Sequence, residues 1–382
     1  MKKSHFANLF GFFGYRIILF LVFVILSVGI ITVLPIITSG SIQNKIISVK
    51  DSDLRKSADP SEVESTLSKE ETQIKGETSV RNVYLGFWTQ GFFDPKNFQL
   101  HTEVLKELEK KIGKKAAIAH YYRGWEELAK QQLVDELNSI SANGWRPMVS
   151  ANPYFFSQCN SNGMSLYRAI ANGNCDKFMR QVGRNLKNFN KPFFLRFAWE
   201  MNIDSLEWGV ARVGSSAEEF VLAWKRFHDI LAGEGANNIL WVFSPNVGQT
   251  VIGYKSLYPG EGYVDWLGLD GYNWGTTQPW SSWQTFRQVF LTSYNELLNV
   301  VPGKPLMIAE VNTTHEGGSK PQWYDDMLLS ELAQNFPQVK AVVFYNENRS
   351  VSENVNWLID ISAESLETFR RAISQPFYLS SF

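Results

Sequence analysis

From residue 81 onward the chain repeats one pattern eight times: a short apolar, β-branched or aromatic run, then a longer stretch with helical periodicity. The runs are VYLGFW (83–88), AAIAHYY (116–122), RPMVSANP (146–153) and PFFLRFAWE (192–200). They continue as NILWVFSPN (238–246), VDWLGLDGY (264–272), KPLMIAEVN (304–312) and VKAVVFYNEN (339–348). Between them lie helical patterns such as TEVLKELEKKIG, WEELAKQQLVDELNSI and SAEEFVLAWKRFHDILAGEG. The last opens on a capping box, Ser216 with Glu219, and closes near Gly233. Eight such units in about 295 residues predict an α/β fold, a (β/α)8 TIM barrel over residues 81–376. A doubly wound open sheet shares the alternation, but no glycine-rich phosphate loop follows the first strand.

The first 80 residues are of a different kind. Lys2, Lys3 and Arg16 precede an uncharged run from Ile17 to Gly40, long enough to span a bilayer. With positive charge and no acidic residue ahead of it, the expectation is a cytoplasmic segment at 1–16 and a transmembrane signal-anchor at 17–40. The barrel would then lie outside the cytoplasm. A cleaved signal peptide, with TSGS at 38–41 as the cleavage site, leads instead to secretion. Residues 41–80 hold no aromatic residue and many Ser, Lys, Glu and Asp, the composition of a flexible polar linker. Cys159 and Cys175, the only cysteines, fall in the exported part, where they are either a disulfide or two unpaired thiols.

A barrel of this kind carries its chemistry at the carboxyl ends of its strands. The residues there are Trp88, His120, Tyr121, Arg123, Asn152, Glu200, Asn202, Asn246, Asp270, Tyr272, Trp274, Glu310, Asn312, Tyr345 and Asn346. This ring is acidic, amide-bearing and aromatic, and holds neither a Cys/His metal set nor a Ser-His-Asp grouping. It suits a neutral polyhydroxylated ligand. The 13 Trp among 382 residues agree, since pyranose faces stack on aromatic rings. A net charge of -1 gives no reason to expect nucleic acid as a partner.

Two glutamates stand in parallel settings: Glu200 ends the fourth strand pattern and Glu310 the seventh. Strands four and seven face each other across the mouth, so their tips can flank one bound sugar. Glycoside hydrolysis needs such a pair, a protonated acid for the leaving oxygen and an ionised partner beyond the sugar. One glutamate alone reads as a solvated strand end or a structural ion pair. Two, each ending an apolar strand of the required number, read as catalytic.

The blocks FLRFAWEMN, WVFSPN, YPGEGYVDWLGLDGYNWG and KPLMIAE occur in order, with IANGNCDKF ahead of them and VNWLID after the last strand. Together they resemble glycoside hydrolase family 26, the β-mannanase-type family of retaining barrel enzymes, over nearly all of 81–362. The resemblance implies Glu200 as general acid/base and Glu310 as nucleophile, Arg196 beneath the site, and Tyr272 hydrogen-bonded near the nucleophile. Trp274 and Asn246 fall in cleft-lining blocks. Asn202, His120, Trp88 and Tyr345 are candidate substrate contacts from their strand-end positions. Arg196 could instead pair with a structural acid such as Asp270, and Tyr272 could simply pack. No cofactor and no metal are implied. The expected activity is that of a membrane-anchored retaining endo-β-glycanase acting on mannan first, with xylan, mixed-linkage glucan or the cell's own exopolysaccharide next. A carbohydrate-binding or assembly protein, and a transglycosylase with the same two glutamates, are the rival readings.

Two positions depart from the family. Trp199 stands where His is usual, directly before Glu200, and SANPY ends the third strand in place of the more usual Trp-Glu-Pro. Strand alternation places Arg196, Ala198 and Glu200 on one face and Phe197 and Trp199 on the other. If alternation persists, Trp199 is core. If the strand kinks at its tip, the indole turns into the sugar site as an apolar wall.

Overall fold

Eight parallel strands close on themselves. In chain order they are β1 (Val83–Thr89), β2 (Ile118–Gly124), β3 (Arg146–Asn152), β4 (Phe193–Phe197), β5 (Ile239–Phe243), β6 (Trp266–Asn273), β7 (Leu306–Thr313) and β8 (Val339–Asn346). Each pairs with its sequence neighbour, and β8 returns to pair with β1 in the register Trp88 to Tyr345. The expected barrel is therefore present. The computed structural model describes residues 82–248 and 251–382, so the expected anchor at 17–40 and linker at 41–80 lie outside the described residues. Among the described residues no helix is long and apolar enough to cross a membrane.

Alternate strand residues divide between two cores. Ile118, Met148, Phe194, Val242, Met307 and Val343 fill the barrel interior. Their neighbours, among them Leu85, Val149, Leu195, Phe197 and Phe344, pack outward against the helices through residues such as Leu137, Phe178, Trp224 and Phe290. Parallel strands covered on both faces need this near-continuous apolarity, which is why their sequences are apolar runs rather than clean alternations. The polar residues of the upper layer interrupt the pattern, and they define where the site begins.

Local rules account for most of the helices. Ala217–Gly233 carries the expected capping box, with Ser216 accepting from the Glu219 amide and the Glu219 side chain accepting from the Ser216 amide. A second box, Thr285 with Gln288, starts Phe286–Val300. One expected helix is divided. WEELAKQQLVDELNSI forms a 3₁₀ turn at Trp125–Ala129 and a separate helix at Gln131–Ala142, because Lys130 between them is extended, with ψ 143°. Within the 3₁₀ turn Glu127 faces inward, 3.6 Å from the buried Arg123 guanidinium.

Cys159 and Cys175, 16 residues apart, are joined in a disulfide. It ties the loop after β3 to the N-terminus of the helix Asp176–Phe189. Loop closure over this span is worth about 3 kcal/mol in the unfolded chain. The Cys175→Ser variant should therefore lose about 2–4 kcal/mol in urea unfolding, and added reductant should lower the wild-type midpoint to match. An unchanged midpoint in both experiments would show that the bridge adds nothing.

Candidate active site

The floor of the barrel mouth is a buried cation with two acids on it. Arg196, on β4, points into the barrel and is fully buried. Its Nη1 donates to Glu310 Oε1 at 2.7 Å and to Ser150 Oγ at 2.9 Å. Its Nη2 donates to Ser244 Oγ at 3.2 Å and to Asp270. Both readings of this arginine are thus realised at once: it pairs with the structural Asp270 and with Glu310. Asp270 and Glu310 are cross-strand neighbours on β6 and β7, so one guanidinium can reach both. Burial works against its charge, but the two carboxylates outweigh that penalty and hold its pKa above the ordinary value.

The shelf below depends on a small residue. A Cβ at Gly268 would come within 2.5 Å of Ser244 Oγ, the hydroxyl that Arg196 uses. On the other side His120 Nε2 lies 2.7 Å from Ser150 Oγ and 3.4 Å from Arg196 Nη1. Burial, and then Arg196, push the His120 pKa well below its usual value. Because a guanidinium can only donate, Nε2 is assigned as the acceptor and the ring proton to Nδ1.

The two glutamates sit in opposite electrostatic surroundings. Glu310 is held by the Arg196 bond and by Tyr272, whose hydroxyl donates to Oε2 at 2.6 Å. Glu200, at the tip of β4, has one side-chain donor, Asn246 Nδ2, at 2.6 Å from Oε1. Burial pushes the Glu200 carboxyl up to about 7, and the charge of Glu310 adds to the shift. Asn246 and Arg196 oppose it without cancelling it.

The end of β4 resolves the alternation question. Regular strand stops at Phe197, and the backbone turns left-handed at Ala198 (φ 50°) and again at Glu200 (φ 53°). Non-glycine residues seldom adopt this region, and it concentrates at functional sites. Neighbouring strands hold it in place: Ala198 N donates to Ala151 O at 2.9 Å and Glu200 N to Ser244 O at 2.8 Å. The kink swings Trp199 away from the outer core and against Tyr122, with ring centroids 5.2 Å apart. Trp208 packs on its far side at 4.4 Å and donates to the Trp199 carbonyl. The indole is 8% exposed.

The other expected site residues fall into three groups. Tyr272 and Trp274 are partly exposed at the mouth, as is Trp88, which donates to Glu347 at 3.0 Å. Tyr345 lies beside Trp88, and its hydroxyl donates to Glu347 and accepts from Arg349 at 2.9 Å. Asn202 is buried. Its amide donates to the Asn246 carbonyl and its Oδ1 accepts from the Asn246 amide, so it positions Asn246 from behind. Asn312, from the wider ring, donates to the carbonyls of Tyr345 on β8 and Trp357 in the loop after it, and Asn346 accepts from the Ile359 amide in that loop.

Tyr121 and Arg123 do not join the ring. Their side chains leave the barrel on its outer face, Tyr121 against Phe93 and Arg123 between Glu127 and Glu136. In their place stands Tyr122, which the reading from sequence missed. It contacts Trp88, His120, Trp199 and Tyr345. Once packing against Ser150 and Arg196 turns His120 inward, alternation brings Tyr122, two residues on, inward as well. Glu347, inside the eighth apolar run, and the buried Trp357, inside VNWLID, were not singled out; in the structure both follow the last strand in irregular chain, where alternation does not set their direction.

Residues 153–327 match the model of glycosyl hydrolase family 26. Endoglucanase H of Acetivibrio thermocellus is 31% identical over 276 residues, 71% of this chain and 29% of that protein. A mannan endo-1,4-beta-mannosidase of Bacillus subtilis is 24% identical over 262 residues, 61% of this chain and 66% of that one. The chain thus spans less than two thirds of the length of either relative. Among solved structures, a GH26 beta-mannanase from Bacteroides ovatus superposes with a TM-score of 0.55 at 17% identity, covering 78% of this chain and 90% of that one. That match carries the fold, and the sequence matches carry the family. The matched segment, residues 153–327, is of the glycosyl hydrolase family 26 type.

Proposed function

We propose that the protein is a membrane-anchored retaining endo-β-glycanase that cleaves a β-linked polysaccharide by double displacement. The observation that carries this reading is the contrast between its two facing glutamates. Glu310 is fastened by a guanidinium and a phenol, the setting of a group that acts as an anion. Glu200 has a single amide donor and a carboxyl pushed up to about 7, the setting of a group that still carries its proton near neutrality.

The chemistry follows from those settings. Glu310 attacks the anomeric carbon while Glu200 protonates the departing glycosidic oxygen, which leaves a covalent glycosyl-enzyme. Glu200, now ionised, takes a proton from water, and the hydroxide oxygen displaces Glu310. Arg196 spreads its charge over Asp270 and Glu310, so Glu310 is oriented by groups that need not move during the reaction. Transglycosylation differs only in the acceptor that enters at the second step.

Mannan is the first substrate to test. Mixed-linkage or other β-glucan is the second reading, and two observations favour it. The relative of higher identity is an endoglucanase, and the indole of Trp199 replaces a polar contact beside the acid/base. The anchor rests on the apolar run at 17–40, which also makes an extracytoplasmic glycan, including the cell's own exopolysaccharide, the accessible class.

The test is release of reducing ends by the full chain from mannan, glucomannan, xylan and mixed-linkage glucan. Activity on one polymer names the substrate. Silence on all of them from folded protein would turn the reading toward a binding role. A pH profile tests the acid. Because Glu200 must be protonated in the first step, kcat/KM should fall about tenfold per unit as pH rises above about 7. A falling limb that stays in place in Glu200→Gln would assign it to another group.

A further inference from the structure

Trp280 is the most exposed tryptophan among the described residues, at 71%. An indole left in water forgoes one of the largest burial gains a side chain offers. Its loop is nevertheless fastened at many points. Asn273 Oδ1 accepts from the amides of both Gly275 and Gln284, at 3.1 and 2.9 Å, and so pins the two ends. Ser281 Oγ donates to the Gly275 carbonyl at 2.8 Å, and Thr277 Oγ1 to the Trp274 carbonyl at 2.7 Å.

Two neighbouring loops hold the same segment from outside. The Thr276 amide donates to the Glu316 carbonyl, in the loop after β7. Gln278 Nε2 donates to the Glu353 carbonyl and Asn354 Nδ2 to the Thr277 carbonyl, both after β8. Gly275 lets this closure happen: at φ 52°, a Cβ there would lie 1.9 Å from the Glu316 carbonyl oxygen. An apolar side chain is thus held out into water on a rigid mount. That is the arrangement of a preorganised binding platform.

Trp280 also continues a line of rings that starts at the nucleophile candidate. Tyr272 bonds Glu310, Trp357 lies 5.0 Å from Tyr272, Trp274 lies 5.0 Å from Trp357, and Trp280 lies 5.4 Å from Trp274. The line runs over β6 to β8, the side of Glu310. Glu200, which would protonate the leaving oxygen, stands in the kinked segment just after β4, with Trp199 and Trp208 near it.

We propose that Trp280 is the platform of a distal sugar subsite on the glycone side of the cleft, stacking one pyranose of the bound β-glycan beyond the sugar that Glu310 attacks. This rests on the proposed glycanase reading. It assigns the rim above β6–β8 to the part of the chain that stays on the enzyme, and it makes recognition there tolerant of hydroxyl orientation. An aromatic face reads ring shape more than hydrogen-bond pattern.

The test compares wild type with Trp280→Ala and Trp280→Phe as full chains. Substrates are manno- and gluco-oligosaccharides from tri- to hexasaccharide, labelled at the reducing end, with soluble mixed-linkage glucan and glucomannan. The ratio of kcat/KM on the longest to that on the shortest oligosaccharide should fall about tenfold in Trp280→Ala, and Trp280→Phe should restore most of it. Cleavage positions should shift so that fewer sugars are retained on the glycone side.

Binding of the two soluble glycans to Glu310→Ala, with and without Trp280→Ala, separates this proposal from the catalytic one. Weakened binding by the double variant, with no turnover by wild type, would sink hydrolysis and keep the subsite. Turnover with an unchanged length ratio and cleavage pattern would sink the subsite and keep hydrolysis. No binding and no turnover would overturn both.

Discussion

Replacing Glu310 with Ala should lower kcat by at least about 10⁴-fold on whichever polysaccharide the protein cleaves, while leaving it folded and able to bind. The expectation follows from what surrounds that carboxylate. Arg196 and Tyr272 donate one to each of its two oxygens and so hold the carboxylate in a single orientation. Removing the side chain deletes the proposed nucleophile and leaves a space beside the buried guanidinium. Azide, a small anion, suits that space. With an activated aryl glycoside, azide should restore turnover in Glu310→Ala and yield a glycosyl azide of inverted configuration. In Glu200→Ala the glycosyl-enzyme would form first, and azide should then give a product of retained configuration. The opposite pairing of configuration with variant would exchange the two roles. Undiminished turnover in Glu310→Ala would end the assignment.

Arg196→Met should produce the largest loss of stability of any single change at the site, about 3–5 kcal/mol at neutral pH, or roughly 10 °C in Tm. The guanidinium is fully buried between two carboxylates, so methionine fills part of its volume but leaves Asp270 and Glu310 facing each other without a counter-charge. The cost is that of uncompensated buried charge and not the net worth of the ion pair, which desolvation keeps small. A pH dependence follows. Burial already raises the Asp270 pKa, and Arg196 is the cation that opposes that rise. Without it, the folded state of the variant holds the proton more tightly than the unfolded chain does. Proton uptake on folding stabilises the protein progressively as pH falls toward the unfolded carboxylate range, so the deficit should be largest at pH 7 and shrink near pH 4. Urea unfolding at the two pH values measures this. A deficit below about 1 kcal/mol at pH 7 would mean that solvent reaches the cluster and screens it.

The legible part of this protein is what repeats. Eight apolar runs separated by amphipathic stretches specify a parallel barrel, because strands covered on both faces must be apolar throughout. A polar residue that ends such a run, as Glu310 ends LMIAE, is then conspicuous against its background. The Ser216 capping box was equally plain, being a local arrangement of four residues. Less legible was anything set by a partner distant in sequence. Tyr122 was passed over for Tyr121 and Arg123 because the strand's inward phase is settled by the packing of His120 against Ser150 and Arg196, on two other strands. The inward placement of Glu127, in the 3₁₀ turn that precedes the extended Lys130, likewise involves a partner on another element, the buried Arg123 of β2.

The composition and periodicity of the chain determined by themselves the barrel, the strand tips that carry polar groups, and the chemical class of those groups. Hydrophobic period and local capping are properties of neighbours along the chain, so they survive without a structure. Only the tertiary structure decided that one arginine serves both Asp270 and Glu310, that two left-handed residues turn Trp199 toward Tyr122, and that Trp280 is mounted in water. Each of these is fixed by contacts across strands or between loops. The free energy of such contacts depends on burial and on distances between groups up to more than a hundred residues apart, as between Arg196 and Glu310.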